Sequence, residues 1–527
     1  MRKELYYRQL FLIFSIVLFF LLGFVFTGCD EFSLFSELGK PVPSGAGLPS
    51  LTLVIKPDTA TVYVGEVYVF SASGGIPPYT YEVVSGGGSI DSVSGVYTAP
   101  GSVGSATVRV TDSASNTSEA SVSIVDYPYL RSSPERLYVY EEYTFEGAGG
   151  VPPYTYSIVS GIGSINSSSG VYKAPGYSGD VEIEVRDSMG KYSREDFSVV
   201  WHRFTVDTAG DVGQFSSLKV DSSGNPGIAY YDVTNGDLKF AYYDGSDWSI
   251  SVVDSTNDVG RFASLSLDSN GYPHISYYDY TGNDLKYAFW DGSSWNVSTL
   301  VSTGDVGEYS SVVVDSNGHR YVSYYNVSLS ELDELHYDGS SWQSPVTVDN
   351  AADDGRYSSI ALDSANYPRI SYYDNTAYDL KYAYYDGASW HTETVDSTGD
   401  VGQYTSIAVD SNDYPHISYY DNTNHALKYA YYDGVSWHTE TVASGNVGQY
   451  SSIVLDSSDN PHVAFYDAAN GDLKYAFKRD GSWIIDTIDR GYDVGEYASI
   501  ALYRENGEER VAFSYYDATN GNLKFAY

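Results

Sequence analysis

The chain has a single cysteine, Cys29, among 527 residues. No intrachain disulfide can form, so each folded part is held together by burial alone. Basic residues are also scarce: 29 Lys and Arg stand against 69 Asp and Glu, a formal net charge of −40. Phosphate binding depends on Lys and Arg neutralising charge, so this balance argues against a nucleic-acid partner and against a basic patch on anionic lipid. Excess acid instead keeps an exported, tyrosine-rich surface dispersed. Helix-period apolar runs are almost absent after the N-terminus, and there is no GxSxG-type nucleophile elbow. What the chain has in quantity is tyrosine (55) and glycine (50). That mixture suits short half-buried strands joined by tight turns. The length calls for several domains rather than one core.

Tryptophan marks a repeat. Trp201, Trp248, Trp295, Trp342, Trp390, Trp437 and Trp483 follow one another at intervals of 47, 47, 47, 48, 47 and 46 residues. A period of this size means one supersecondary unit copied many times. The copy around Tyr404–Val442 reads as four strands: Tyr404–Asp410, His416–Asp421, Leu427–Tyr432 and Trp437–Val442. Turns at Ser411–Pro415, Asn422–His425 and Asp433–Gly434 separate them. Four short strands per unit match one blade of a β-propeller, which must stack on its neighbours to bury both faces. Seven units are counted by Gly213, Gly260, Gly307, Gly355, Gly402, Gly448 and Gly495, and the seventh stops at Tyr527 without a fourth strand. Trp201–Asp207 aligns without a gap on Trp390–Asp396, so the start of the repeat supplies that strand. The expectation is a seven-bladed propeller over 201–527, closed by its N-terminal strand, with no edge left to aggregate.

At the N-terminus, Arg2, Lys3 and Arg8 precede the apolar run Leu10–Phe26, then Thr27-Gly28-Cys29. A basic start, an apolar middle and small residues before a cut describe an export signal. A lone Cys after the small pair resembles the lipobox of bacterial lipoproteins, with Phe26 where Leu is usual. The resemblance implies removal of residues 1–28 and lipidation of Cys29, anchoring the protein to the bacterial cell envelope, at the outer membrane or cell surface. An uncleaved anchor or ordinary signal peptide is the other reading. Residues 29–50, rich in Gly, Pro and Ser, read as a flexible tether.

A second repeat, of 75 residues, follows. Gly74-Gly75-Ile76-Pro77-Pro78-Tyr79-Thr80-Tyr81 returns as Gly149-Gly150-Val151-Pro152-Pro153-Tyr154-Thr155-Tyr156. Alternating strands such as Val108–Asp112 and Ile183–Asp187 close the two copies. The pattern resembles bacterial immunoglobulin-like surface modules. It implies two tandem β-sandwiches, 51–126 and 127–200, more often stalks than binding sites. The fold class expected is therefore all-β throughout.

In the propeller frame one face collects repeated groups. Asp211, Asp258, Asp305, Asp353, Asp400, Asn446 and Asp493 precede the first strands, and Asp232, Asp279, Asn326, Asp374, Asp421, Asp467 and Asp517 end the second. Beside them run Gln214, Arg261, Glu308, Arg356, Gln403, Gln449 and Glu496, then the aromatics Phe215, Phe262, Tyr309, Tyr357, Tyr404, Tyr450 and Tyr497. One reading is a funnel for a glycan or protein ligand, with Arg261, Glu308, Tyr309, Arg356, Tyr357, Gln403, Tyr404, Gln449, Tyr450, Glu496 and Tyr497 as its contacts. The other is that the acids cap their own turns and the aromatics fill space between blades. Positions that differ between blades, and the anomalous third unit with Asn326 and Asp333-Glu334-Leu335-His336, are the better candidates for recognition.

Catalysis has little support. An enzyme needs one group whose environment differs from its copies, and only Glu308 with Glu496 offers an acid pair. No cofactor is expected. Calcium has no motif behind it, since the Asp-Ser-Asn-Gly turns at Asp268 and Asp315 lack the spacing and terminal Glu of a calcium loop. The expected function is non-catalytic binding or adhesion, with a polysaccharide-active hydrolase or lyase, or a structural envelope protein, as alternatives. Oligomeric state has no signal in the residues.

Overall fold

The structure, a computed structural model, describes residues 52–527; the export signal, Cys29 and the tether lie outside the described residues. Among the described residues every regular element is a strand. They fall into two compact units, one ending at Ile124 and one running from Val125 to Tyr527.

In the first unit, Thr59–Tyr63, Thr117–Val125, Gly104–Thr111 and Thr80–Gly86 form one sheet in that order. Val67–Val69, Val96–Thr98 and Ser89–Ile90 form another. Alternation sends Val108, Val110, Val122 and Ile124 into a core shared with Phe70 and Tyr97. The Gly-Gly of the 75-residue repeat has a physical cause. Gly74 and Gly75 adopt φ of 74° and 63°, and a Cβ on Gly75 would lie 2.6 Å from the Asp112 carboxylate. Asp112 is held there by the Ile76 N–H at 2.9 Å. Asp187 accepts the Val151 N–H at 3.0 Å in the second copy.

The second unit opens on that second copy. Arg136–Tyr138, Tyr192–Val200, Gly179–Arg186 and Thr155–Ser160 make a four-stranded sheet, with Glu142–Thr144, Val171–Lys173 and Ser164–Ile165 as a second. Seven further four-stranded sheets follow. Their first strands are Val212–Val220, Val259–Leu267, Val306–Val314, Asp354–Leu362, Val401–Val409, Val447–Leu455 and Val494–Glu505. The fifth sheet is representative: Val401–Val409, Pro415–Asp421, Ala426–Tyr432 and Trp437–Ser444 pair in sequence order. In the third sheet the fourth strand shrinks to Val346–Asp349, because Pro345 has no N–H to give the ladder. In the seventh sheet the fourth strand comes from the other end of the repeat. Arg203–Asp207 pairs antiparallel with Asn522–Ala526, Phe204 opposite Phe525 and Thr205 opposite Lys524. His202 and Tyr527 then exchange two backbone hydrogen bonds of 3.1 Å.

The core does not stop at residue 200. Phe145, Tyr172 and Phe197 of the sandwich belong to one buried cluster with Trp201 and with Tyr475 and Phe513 of the sixth and seventh sheets. Trp201 meets both rings edge-on, at 6.0 and 5.4 Å. Its indole N–H donates to Asp486 at 2.7 Å, and Asp486 also accepts the Ser178 N–H (2.7 Å) and hydroxyl (2.6 Å). Trp201→Ala is expected to cost about 3–5 kcal/mol, the range for emptying a large buried aromatic. Urea unfolding would measure it, and a loss below about 1 kcal/mol would contradict this account of the shared core.

Candidate functional site

Each first strand carries, one residue from its start, a Gly-x-aromatic triplet of which the alternation placed only the aromatic in the strand. The structure puts it inside the strand as a bulge. Gly402 has φ of 111° and Tyr404 φ of 51°, with register shifts on both sides of Gln403. All seven copies agree: the glycines span 106–113°, the aromatics 51–56°. The glycine is required twice over, since a Cβ there would sit 2.6–2.9 Å from the Cα of a leucine in the preceding sheet, Leu380 in the case of Gly402. The aromatic is a bulky residue in left-handed backbone, at about 1–3 kcal/mol each. Seven such residues persist because each ring is trapped between two others.

Phe215, Phe262, Tyr309, Tyr357, Tyr404, Tyr450 and Tyr497 touch in sequence, and Tyr497 touches Phe215 again. Neighbouring centroids are 4.5–4.8 Å apart and neighbouring planes differ by 48–56°. Seven planes turned evenly about one axis would differ by about 51° between neighbours. The rings therefore line a wall as upright staves. With the small residues that follow them (Ser216, Ala263, Ser310, Ser358, Thr405, Ser451, Ala498) they border a cavity of about 210 Å³.

Two hydrogen-bond belts tie the first strands together. Serines 217, 264, 311, 359, 406, 452 and 499 each accept a backbone N–H from the following sheet at 3.0–3.3 Å, with Ser499 serving Leu218 of the first. The tyrosine near the end of each second strand donates across to the next sheet's leading acid. Tyr231, Tyr278, Tyr325, Tyr373, Tyr466 and Tyr516 reach Asp258, Asp305, Asp353, Asp400, Asp493 and Asp211 at 2.5–2.8 Å. Tyr420 reaches Asn446 at 3.3 Å. The second-strand acids cap turns: Asp421 accepts the Asn424 N–H at 2.8 Å, Asp374 that of Thr376 at 2.8 Å. So do Asp268 and Asp315, which accept N–H groups of their own turns. The repeated acids are thus engaged within the protein.

The positions that vary are different. Arg261 donates to Asp258 at 2.9 Å and lies 3.8 Å above the exposed Tyr280 ring. Arg356 donates to Asp353 at 3.3 Å and lies over Tyr325. Gln403 stands 3.4 Å from Asp400. Burial and then Asp305 push the Glu308 carboxyl above its ordinary range, while Arg356 and Arg261 oppose the shift. Burial and then Asp493 do the same to Glu496, with no cation opposing. The two glutamates sit on the third and seventh sheets, and neither shifts the other. The ring tyrosines are held protonated, Tyr309 and Tyr497 pushed up to about 12 by burial, so their hydroxyls remain donors.

Sequence reasoning missed a set of buried ion pairs between sheets. Asp207, Asp254, Asp349, Asp396 and Asp489, at fourth-strand ends, each accept a lysine and a tyrosine hydroxyl from the next sheet, the hydroxyls at 2.6–2.9 Å. Two units break the set: at the sixth, Ala443 stands for the acid and Phe465 for the tyrosine, and at the third the change is different. Val301 replaces the acid and Asp333 the lysine. Asn326 then replaces a carboxylate and donates to Asp333 at 2.9 Å. The anomaly at Asn326 and Asp333 is thus a compensated charge swap. The recurring histidines are also structural: His274, His416 and His462 each bond through Nδ1 to a tyrosine of their own sheet, Tyr287, Tyr429 and Tyr475.

No protein-family model matches this chain, and no curated protein matches it. Solved structures do. The fucose-specific lectin from Aleuria aurantia is 15% identical, over 54% of this chain and 96% of the lectin, with a TM-score of 0.37. A polysaccharide lyase, an ulvan lyase, is 14% identical over 62% of this chain and 95% of its own, with a TM-score of 0.44. A Hadza microbial sialidase is 12% identical over 68% of this chain and 77% of its own, with a TM-score of 0.37. Among the described residues the chain is all-β, built largely of repeated four-stranded sheets.

Proposed function

We propose that residues 201–527 form a seven-bladed β-propeller closed by strand Arg203–Asp207, and that it is the non-catalytic, glycan-recognising part of an exported lipoprotein. In this reading Cys29 carries the lipid, and two immunoglobulin-like modules lie between anchor and propeller in sequence. Supporting the closed ring are the contacts that return from the seventh sheet to the first: Tyr497 to Phe215, Ser499 to Leu218 and Tyr516 to Asp211.

The observation that carries the function is an uneven rim over an even wall. The half-buried aromatics repeat in every sheet, while the groups beside them change from Arg261, Glu308 and Arg356 to Gln403, Gln449 and Glu496. Sugar rings offer apolar faces to aromatics and hydroxyls to amides, carboxylates and phenols. Binding is favoured over hydrolysis or elimination because the acids repeated in each sheet are committed to internal hydrogen bonds.

The test is a glycan array on the full-length protein alongside a reducing-end assay. Binding without release of reducing ends is expected, weakened at least about tenfold by Tyr404→Phe with Gln403→Ala. Phe215 and Phe262 occupy the same position in other sheets, so the first change keeps the wall intact. Release of reducing ends would make the protein an enzyme. Silence in both assays would favour a protein ligand or a scaffold.

A further inference from the structure

Three interfaces between successive sheets carry a related polar set, and two lack it: that between the seventh and first sheets, with Ala512, Phe525 and Phe204, and that between the first and second. Between the fifth and sixth sheets, His416 bonds Tyr429, while the Trp483 indole N–H donates to Glu440 at 3.0 Å. Between the sixth and seventh, His462 bonds Tyr475 and Trp201 donates to Asp486 at 2.7 Å. Between the fourth and fifth, Arg369 pairs with Asp363 and Trp437 donates to Glu393 at 2.9 Å. Between the first and second, the matching positions hold Gly227, Phe240, Ser251 and Trp295. Three side chains are cut back together: no imidazole or guanidinium, no phenol oxygen, no carboxylate.

Gly227 is not there for its backbone, which lacks the positive φ seen in the bulge glycines. It is there for space, since a Cβ would lie 2.8 Å from the Phe240 ring. The result is a cavity of about 480 Å³ whose aromatic walls include Phe240, Trp290 and Trp295, within the roughly 300–1,000 Å³ usual for small-molecule sites. Phe240 and Trp290 both meet Trp295 edge-on, at 5.4 and 5.7 Å. On another wall Tyr242 donates to Asp221 at 2.9 Å and receives Asn225 Nδ2 at 3.1 Å. These bonds hold the Asn225 amide in place while its oxygen takes no donor among the described residues. Trp295 differs from Trp201, Trp437 and Trp483 in the same way: its indole N–H has no acceptor among the described residues, and Ser251 stands opposite, lining the cavity.

We propose that this cavity is a second binding site, for a single pyranose ring or the end of a glycan chain, separate from the central face. The proposal rests on the glycan-recognition reading above. An apolar sugar face would lie against Phe240 and the indoles. A sugar oxygen would accept from Trp295 Nε1, and a sugar hydroxyl would donate to the Asn225 oxygen. A purely apolar ligand would leave both groups unmet, and a quaternary ammonium would offer the indole N–H no acceptor.

The experiment titrates the full-length protein with a panel of methyl glycosides, read by tryptophan fluorescence and by isothermal titration. Ser251→Glu places a carboxylate opposite Trp295, as Glu440 stands opposite Trp483, and adds nothing against the Phe240 ring. At least a tenfold loss of affinity is expected, with thermal stability unchanged or raised. Trp295→Phe, which keeps an aromatic and removes the donor, should weaken binding severalfold. Tyr404→Phe should leave this site untouched. If glycosides bind but only the Tyr404 and Gln403 variants reduce it, this site is refuted and the central face stands. If no glycoside binds and no array glycan is captured, both readings fall.

Discussion

Glu334→Gln should make the protein more stable than its parent at pH 8 while leaving the two equal at pH 4. Glu334 is buried on the third strand of the third sheet, where other sheets place Tyr287, Tyr382, Tyr429 and Tyr475. Its Oε1 has no hydrogen-bond partner among the described residues. Burial pushes its carboxyl up to about 8 from an ordinary 4.5. An acid raised on folding is tolerated neutral and resisted when charged. Its burden on the fold is absent below pH 4.5, grows as pH rises to 8 and is constant above. At about 1.36 kcal/mol per pH unit over that interval, the ceiling is about 5 kcal/mol. Denaturant unfolding of parent and variant from pH 4 to 9 would trace the difference. A constant offset across that range would mean the carboxyl does not titrate where its surroundings require.

The second large effect concerns the ion pairs between sheets. Burial works against ionisation of Asp396, yet the Lys428 ammonium, the Tyr419 hydroxyl and the Thr398 N–H together hold it below its ordinary value. Its stabilising contribution is therefore complete above pH 3.8 and lost as pH falls through the lowered value. Asp396→Ala strands a buried ammonium and a buried phenol, and should cost about 3–5 kcal/mol. The chain contains its own remedy. Where Ala443 stands in place of the acid, Phe465 replaces the tyrosine, and Lys474 turns to the Thr487 hydroxyl at 2.9 Å. Adding Tyr419→Phe to Asp396→Ala should thus recover about 1–2 kcal/mol relative to the sum of the single changes. A double-mutant cycle by urea unfolding at pH 7 decides it, and strict additivity would break the link between the two side chains.

Local chemistry made much of this architecture legible. The tryptophan spacing counts the units, and the alternation of Ile407, Val409, Ile417 and Tyr419 marks strands whatever surrounds them. The Gly-x-aromatic bulge was not legible, because a glycine before an aromatic reads as a loop unless the leucine of the preceding sheet is known to press on it. The partners of the leading acids were hidden for a related reason. Tyr231 and Asp258 lie in different copies, so neither copy alone displays the bond. A signal was nevertheless present within the chain. Where the acid is lost a partner changes with it, the lysine to Asp333 after Val301 and the tyrosine to Phe465 after Ala443. Comparing columns of the repeat, rather than reading along one row, would have singled out Gly227. Arg261 and Arg356 were singled out by that logic, and in the structure they brace neighbouring acids and aromatic rings.

The cluster running from Phe145 through Trp201 to Phe513 has a mechanical side. A tug arriving from the N-terminal direction reaches the repeat through the second sandwich, whose interior is continuous with the sheets it adjoins. Strand Arg203–Asp207 would then be loaded only after Trp201 had been dragged from between Tyr475 and Phe513. The ladder joining first strand to last is thereby shielded from shear, and a leash pulled by flow or by a moving neighbour should fail elsewhere before that seam unzips.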